Sequence, residues 1–70
     1  MEKLEAVQKV MRFSNSIREW CENNHGIFFD DFDEQNVDDY DSGGYGPIAE
    51  EIIKRGVEEN LLEEDEIEGF

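Results

Sequence analysis

Positive charge is what this chain most lacks. Lys and Arg together number 6 against 20 Asp and Glu, which sets the formal net charge at −14. Affinity for nucleic acid comes from bases that neutralise phosphates, so direct binding to DNA or RNA is excluded as a function class. Docking on an anionic membrane surface is excluded for the same reason. No run of about 18 apolar residues is present, so no segment is built to span a bilayer. Cysteine is nearly absent. Cys21 stands alone, no internal disulfide can form, and a lone thiol suits a reducing compartment. Zinc needs about four Cys or His ligands, and Cys21 and His25 are the only such residues. Met1 leads into a charged amphipathic stretch instead of a basic start and an apolar run. The expected location is therefore the cytoplasm.

Apolar residues are also sparse, at 37% against a usual 45–50% or so, a range that also counts Gly. Aromatic residues offset part of this deficit. Five Phe, two Tyr and one Trp each bury much area, and a disordered acidic tail would be poor in them. The expectation is one small folded domain covering residues 1–70, with no internal repeat and no linker rich in Pro or Ser. A chain of this length buries only roughly 60% of the surface it exposes when unfolded. Scaffolds of this size usually lean on disulfides, a metal or a partner subunit, so a homodimer is a plausible source of further burial.

Residues 2–23 read as one amphipathic helix. Apolar residues fall at Leu4, Val7 and Met11, then at Val10, Phe13, Ile17, Trp20 and Cys21, spacings of three and four that mark one helical face. Asn24-His25-Gly26 is the stop, since Gly takes the left-handed conformation without steric cost. A second helix is expected from Pro47 to about Leu62, because Pro suits the first helical turn. Its stripe runs through Ile48, Ala49, Ile52, Ile53, Val57 and Leu61, and Gly56 inside it is read as a site of close packing. The acidic middle, residues 27–46, is either a hairpin across Asp33-Glu34-Gln35-Asn36 or a short helix from about Asp31 to Asp39. The helix is preferred, because Asp and Asn are poor strand formers. The resulting fold class is mainly α, with Leu4, Val7, Phe13, Ile17, Trp20, Ile48, Ile52 and Ile53 in the core. Met11, Phe28 and Phe70 are read as an exposed apolar fringe, and Ile67 and Phe70 as anchors for residues 63–70.

Residues that could carry chemistry reduce to few. Cys21 and His25 lack the third group that orients a nucleophile and its base, and twenty carboxylates form pairs by chance. No catalytic residue is assigned and no enzymatic activity is expected. The Gly-rich stretch 43–46 lacks the Lys and the upstream strand of a phosphate loop. Asp39 to Glu50 partly matches a calcium loop, with oxygen ligands at positions 1 and 3, Gly at 6 and Glu at 12. Gly43 stands where a side-chain ligand is wanted, and Gly46 and Pro47 follow at positions 8 and 9. A Gly-rich turn before a Pro-started helix explains the same residues, so no metal or other cofactor is assigned.

The acids are unevenly placed. Residues 1–29 carry four acids and four bases. Residues 30–41 carry Asp30, Asp31, Asp33, Glu34, Asp38, Asp39 and Asp41 with no base, and residues 42–70 carry nine acids against Lys54 and Arg55. On the second helix, Glu50–Lys54–Glu58 and Glu51–Arg55–Glu59 form i, i+4 ladders, which local helix support explains. The acids of 30–41 and the run Glu63, Glu64, Asp65, Glu66 with Glu68 have no such explanation, and their repulsion destabilises a small fold. Closely spaced carboxylates resemble a phosphate array and suit a basic groove built for nucleic acid, with electrostatically steered association.

In length, in charge, and in carboxylates beside Phe32, Tyr40 and Tyr45, the chain resembles the DNA-mimic inhibitors that bacteriophages and mobile elements often encode. The resemblance implies a stoichiometric, non-enzymatic inhibitor that acts in the host cytoplasm by covering the basic surface of a nucleic-acid-binding protein. A nucleoid protein, a nuclease, a restriction or CRISPR effector and RNA polymerase are the kinds of target implied. The other readings are a small acidic adaptor that docks through apolar residues, and a calcium-responsive module.

Self-repulsion makes a prediction of its own. Salt at about 0.5 M shortens the Debye length to a few Å, so the melting temperature should be higher there than at low salt. A flat or falling response in a thermal melt at the two salt concentrations would show that the acids are already compensated locally.

Overall fold

The computed structural model describes residues 1–67. Three α-helices carry the architecture, α1 (Lys3–Phe13), α2 (Asn15–His25) and α3 (Gly46–Glu58). Single 3-10 turns at Phe29–Asp31, Asn36–Asp38 and Glu64–Glu66 shape the segments after α2 and α3. Among the described residues there is no strand. The mainly helical expectation holds, and the hairpin alternative for the middle segment is overturned. The preferred helix over 31–39 is also replaced, by two separate 3-10 turns.

The expected first helix is two. Ser14 leaves helical geometry (φ −126°, ψ 103°) and caps α2, its Oγ accepting the Ile17 N–H at 3.3 Å. Its own N–H donates to Val10 O at 2.8 Å, and Arg18 N–H donates to Ser14 O at 3.1 Å, so backbone pairing continues through the bend. Ser competes for backbone donors with its short side chain, which favours caps over helix interiors. An unbroken helix over 2–23 would be about 33 Å long, more than the 28 Å longest extent of the molecule. The break folds α2 back onto α1 and α3.

It also changes which side chains face inward. Phe13, expected in the core, is 65% exposed, and Met11, expected on the fringe, is fully buried. Phe28 is 55% exposed, as the fringe reading had it, while Phe70 lies outside the described residues. The core holds Ala6, Val7, Val10 and Met11 of α1, Ile17 and Cys21 of α2, and Ala49, Ile52 and Ile53 of α3. Ile27, Phe32, Val37, Leu62 and Ile67 close it from the connecting segments. Leu4, Trp20 and Ile48 pack against its edge, half-buried. Ile67 anchors its segment as expected; the rest of 68–70 is outside the description.

At both ends α3 follows local rules. Pro47 occupies its first turn. The helix ends at Glu58, short of Leu62, in a paired cap: Leu61 N–H donates to Gly56 O at 2.9 Å and Asn60 N–H to Val57 O at 3.0 Å. Asn60 takes the left-handed conformation this cap needs, φ 62°, a position open to Asn as well as Gly. The turn sends Leu62 back into the core.

Gly56 marks where α1 crosses α3. A Cβ placed there would lie 2.3 Å from Val10 Cγ2, so the two backbones approach closer than any other residue allows. Val10 is β-branched and stiff, and cannot swing aside. Gly56→Ala should therefore lower stability by about 1–2 kcal/mol, since overpacking outweighs a helix-propensity gain of up to about 1 kcal/mol. Combined with Val10→Ala the loss should be smaller than the sum of the two single losses. A urea double-mutant cycle measures this, and additive or stabilising values would rule out the crowding.

Candidate acidic interface

The acidic middle is built from turns that carboxylates themselves close. Phe28 N–H donates to Asp31 Oδ2 at 2.7 Å, bracing the first 3-10 turn. Asp33 Oδ1 accepts the N–H groups of Gln35 at 2.9 Å and Asn36 at 2.7 Å. Asn36 returns the contact, its Oδ1 accepting Asp33 N–H and its amide donating to Asp31 O. Asp39 Oδ1 accepts Asp41 N–H at 3.0 Å. Short polar side chains that bond the backbone two or three residues on are turn formers. Asp31, Asp33 and Asp39 thus have a structural use that a reading for charge alone missed, although Asp-x-Gln-Asn and Asp-x-Asp are its sequence signals.

The loop then closes onto α3. Tyr45 N–H donates to Asn36 O at 3.1 Å and Gly46 N–H to Asp39 O at 2.9 Å. Backbone passes so near that a Cβ at Gly44 would lie 2.2 Å from Asp39 O. Lys3 holds the same loop from the side of α1. Its ammonium donates to the Tyr40 hydroxyl, lies 4.5 Å from the Tyr40 ring centroid and stands 3.8 Å from Asp38 Oδ1. The Tyr40 hydroxyl in turn donates to Glu50 Oε1 at 2.8 Å.

The second acidic run arrives at the same end of α1. The Met1 amino group donates to Glu66 O, and Ile67 is buried beside it in the core. Asp38 and Glu66 are thus anchored on residues two apart in the chain. Asp30 and Asp31 belong to the turn that follows α2, and the charge of Asp31 is felt at Cys21.

All eleven expected interface acids, Asp30, Asp31, Asp33, Glu34, Asp38, Asp39, Asp41, Glu63, Glu64, Asp65 and Glu66, are exposed. Among the described residues only Asp38 has a base within ion-pair distance. Of the ladders expected on α3, Arg55 pairs with Glu51 at 3.3 Å, although its buried Nε makes no hydrogen bond, so the contact is one of charge. The guanidinium instead stacks on Trp20, 4.0 Å from the ring centroid. Glu59 turns away from Arg55 and accepts the Ser14 hydroxyl at 3.1 Å.

The calcium-loop residues do not converge. Glu50 is bound to Tyr40, Asp39 closes its own turn, and no three His, Cys, Asp or Glu among the described residues are grouped to hold a metal. Cys21 is fully buried. Burial pushes its thiol above the usual value, and the charges of Glu22 and Asp31 push it further; a protonated thiol is a poor nucleophile. His25 packs edge-on against Trp20, centroids 5.2 Å apart. No helix of the described residues is long and apolar enough to cross a membrane. No protein-family model, curated protein or solved structure matches the chain.

The turn chemistry separates two substitutions at one position. Asp33→Asn keeps an acceptor for both backbone N–H groups and removes a charge, while Asp33→Ala loses the acceptor. The Ala variant should be less stable than the Asn variant by about 1 kcal/mol, the scale of a lost side-chain cap. Equal urea midpoints for the two would show that Asp33 serves only as a charge.

Proposed function

We propose that the protein is a nucleic-acid mimic, a stoichiometric inhibitor that covers the basic nucleic-acid-binding surface of another protein. The observation that carries this is the exposure of eleven acids of which ten have no base within ion-pair distance among the described residues. The turn roles of Asp31, Asp33 and Asp39 account for three of those carboxylates. They leave Asp30, Glu34, Asp41 and the run Glu63–Glu66 without a structural use. Uncompensated charge of this kind costs stability, and a basic partner surface is the environment that reverses the sign of that cost. No catalytic step is assigned to any residue, and the reading places the protein in the cytoplasm with its target.

A second reading rests on Phe13 and Phe28. They expose 65% and 55% of their surface, and large apolar side chains left open suit an adaptor that docks by burial. The two readings respond differently to salt. Screening weakens carboxylate contacts steeply and leaves apolar docking nearly unchanged.

The test uses proteins retained from a bacterial lysate, each measured against labelled DNA as competitor at two salt concentrations. Replacing Asp30, Glu34 and Asp41 by Asn, Gln and Asn leaves the turns intact. That set should lose roughly tenfold or more in affinity at low salt, and less at high salt. Replacement of Glu63, Glu64, Asp65 and Glu66 by their amides should act in the same direction. Wild-type affinity in both sets, or a complex in which DNA and the protein are bound to the partner together, would exclude mimicry and leave the adaptor reading.

A further inference from the structure

We infer that Lys3 is a positioning residue that holds the acidic loop 36–46 in one conformation, and so presents Asp38, Asp39 and Asp41 as a preorganised array. The inference rests on the mimic reading for its purpose, and on the geometry of the loop for its substance. Lys3 is a base in a place where bases are scarce. Its side chain is only 13% exposed, so the stem lies along the protein and carries the ammonium to the loop. The loop supplies the partners: the Tyr40 hydroxyl, the Asp38 carboxylate and the face of the Tyr40 ring. Through Tyr40 the contact extends to Glu50 on α3. One cation therefore joins α1, the loop and α3.

Apart from Lys3, the loop is tied at its far end, where Tyr45 packs on the core edge-on to Phe32, centroids 5.7 Å apart. Between the core residues Val37 and Ala49 it contains three Gly and one Ser, and its main closures are the backbone bonds from Tyr45 to Asn36 and from Gly46 to Asp39. Asp38, Asp39, Asp41 and Glu50 repel one another across it. Removing the cation leaves that repulsion to open the loop. A loop ordered beforehand loses less freedom on meeting a partner, which favours tight binding.

Two variants test this. Lys3→Met keeps the length of the side chain and removes the charge. Tyr40→Phe keeps the ring and the net charge, and removes the hydroxyl that links Lys3 to Glu50. Amide hydrogen exchange is read at Tyr45 and Gly46, and at Met11 and Ile53 as core controls. Both variants should speed exchange at the loop amides, by about tenfold or more for Lys3→Met given the strength of hydrogen bonds to charged groups. The core amides should keep their protection, which a general loss of stability would not allow.

Binding to the DNA-competed partner gives a second readout with an opposite sign for plain charge. Lys3→Met makes the protein one unit more negative than −14, so Coulomb attraction to a basic surface alone would tighten binding. Positioning requires it to weaken, through faster dissociation. Loop amides as protected as in the wild type in both variants, or tighter binding by Lys3→Met, would overturn the inference. If no retained protein is displaced by DNA, mimicry fails, and the exchange data still decide whether Lys3 orders the loop.

Discussion

Everything in this fold is arranged around the crossing of Val10 on Gly56. Two helices can share so small a core only if their backbones come close, and the missing Cβ at Gly56 permits that. Toward the C-terminal end of α1, Ser14 bends the chain and is held by Glu59 just past the end of α3. Toward its start, Lys3 and Met1 meet the loop before α3 and the segment after it. The two acidic runs, separate in sequence, meet at one end of α1 through Lys3 and Met1. A larger residue in place of Gly56 would part the helices and disturb both anchors.

The acids do two kinds of work at once. With an apolar content this low, the connecting segments cannot be held by burial alone. Carboxylates next to backbone N–H groups substitute for it, and Asp31, Asp33 and Asp39 close successive turns this way. The same residues add to the negative surface. A side chain chosen for turn geometry therefore comes with a charge that an amide would not carry. Asn36, which does carry the amide, sits in the same network, so local geometry alone does not require so many acids.

Much of the helical framework was legible from spacing and punctuation. The stripes through Val7 and Ile17 and through Ile52 and Ile53, the stop at Gly26 and the start at Pro47 are local features with local causes. Gly56 was readable as close packing because the stripe continues past it. What stayed hidden depended on choices between local alternatives. The apolar stripe runs unbroken across Ser14-Asn15-Ser16, so periodicity argues for one helix while capping chemistry argues for two. Tertiary packing decides between them, and Phe13 and Met11 exchange places as a result. Asn60 was an end signal of the kind Gly26 provides, masked by Leu61 and Leu62 continuing the stripe. In the acidic middle, counting charges drew attention from the spacing of Asp and Asn, which encodes the turns. The ion pair of Lys3 with Asp38 joins residues far apart in the chain, and no local pattern announces it.

The burial of Cys21 has a practical consequence. A thiol-specific reagent reaches this sulfur only when α2 lifts from the core, because Cys21 has no exposed surface in the closed molecule. The ratio of its labelling rate to that of the unfolded chain is then the equilibrium constant for that lifting. A single thiol makes the signal unambiguous, with no variant and no isotope needed. It follows one helix detaching from the other two. The native chain thus carries its own chemical gauge of how tightly its halves are joined.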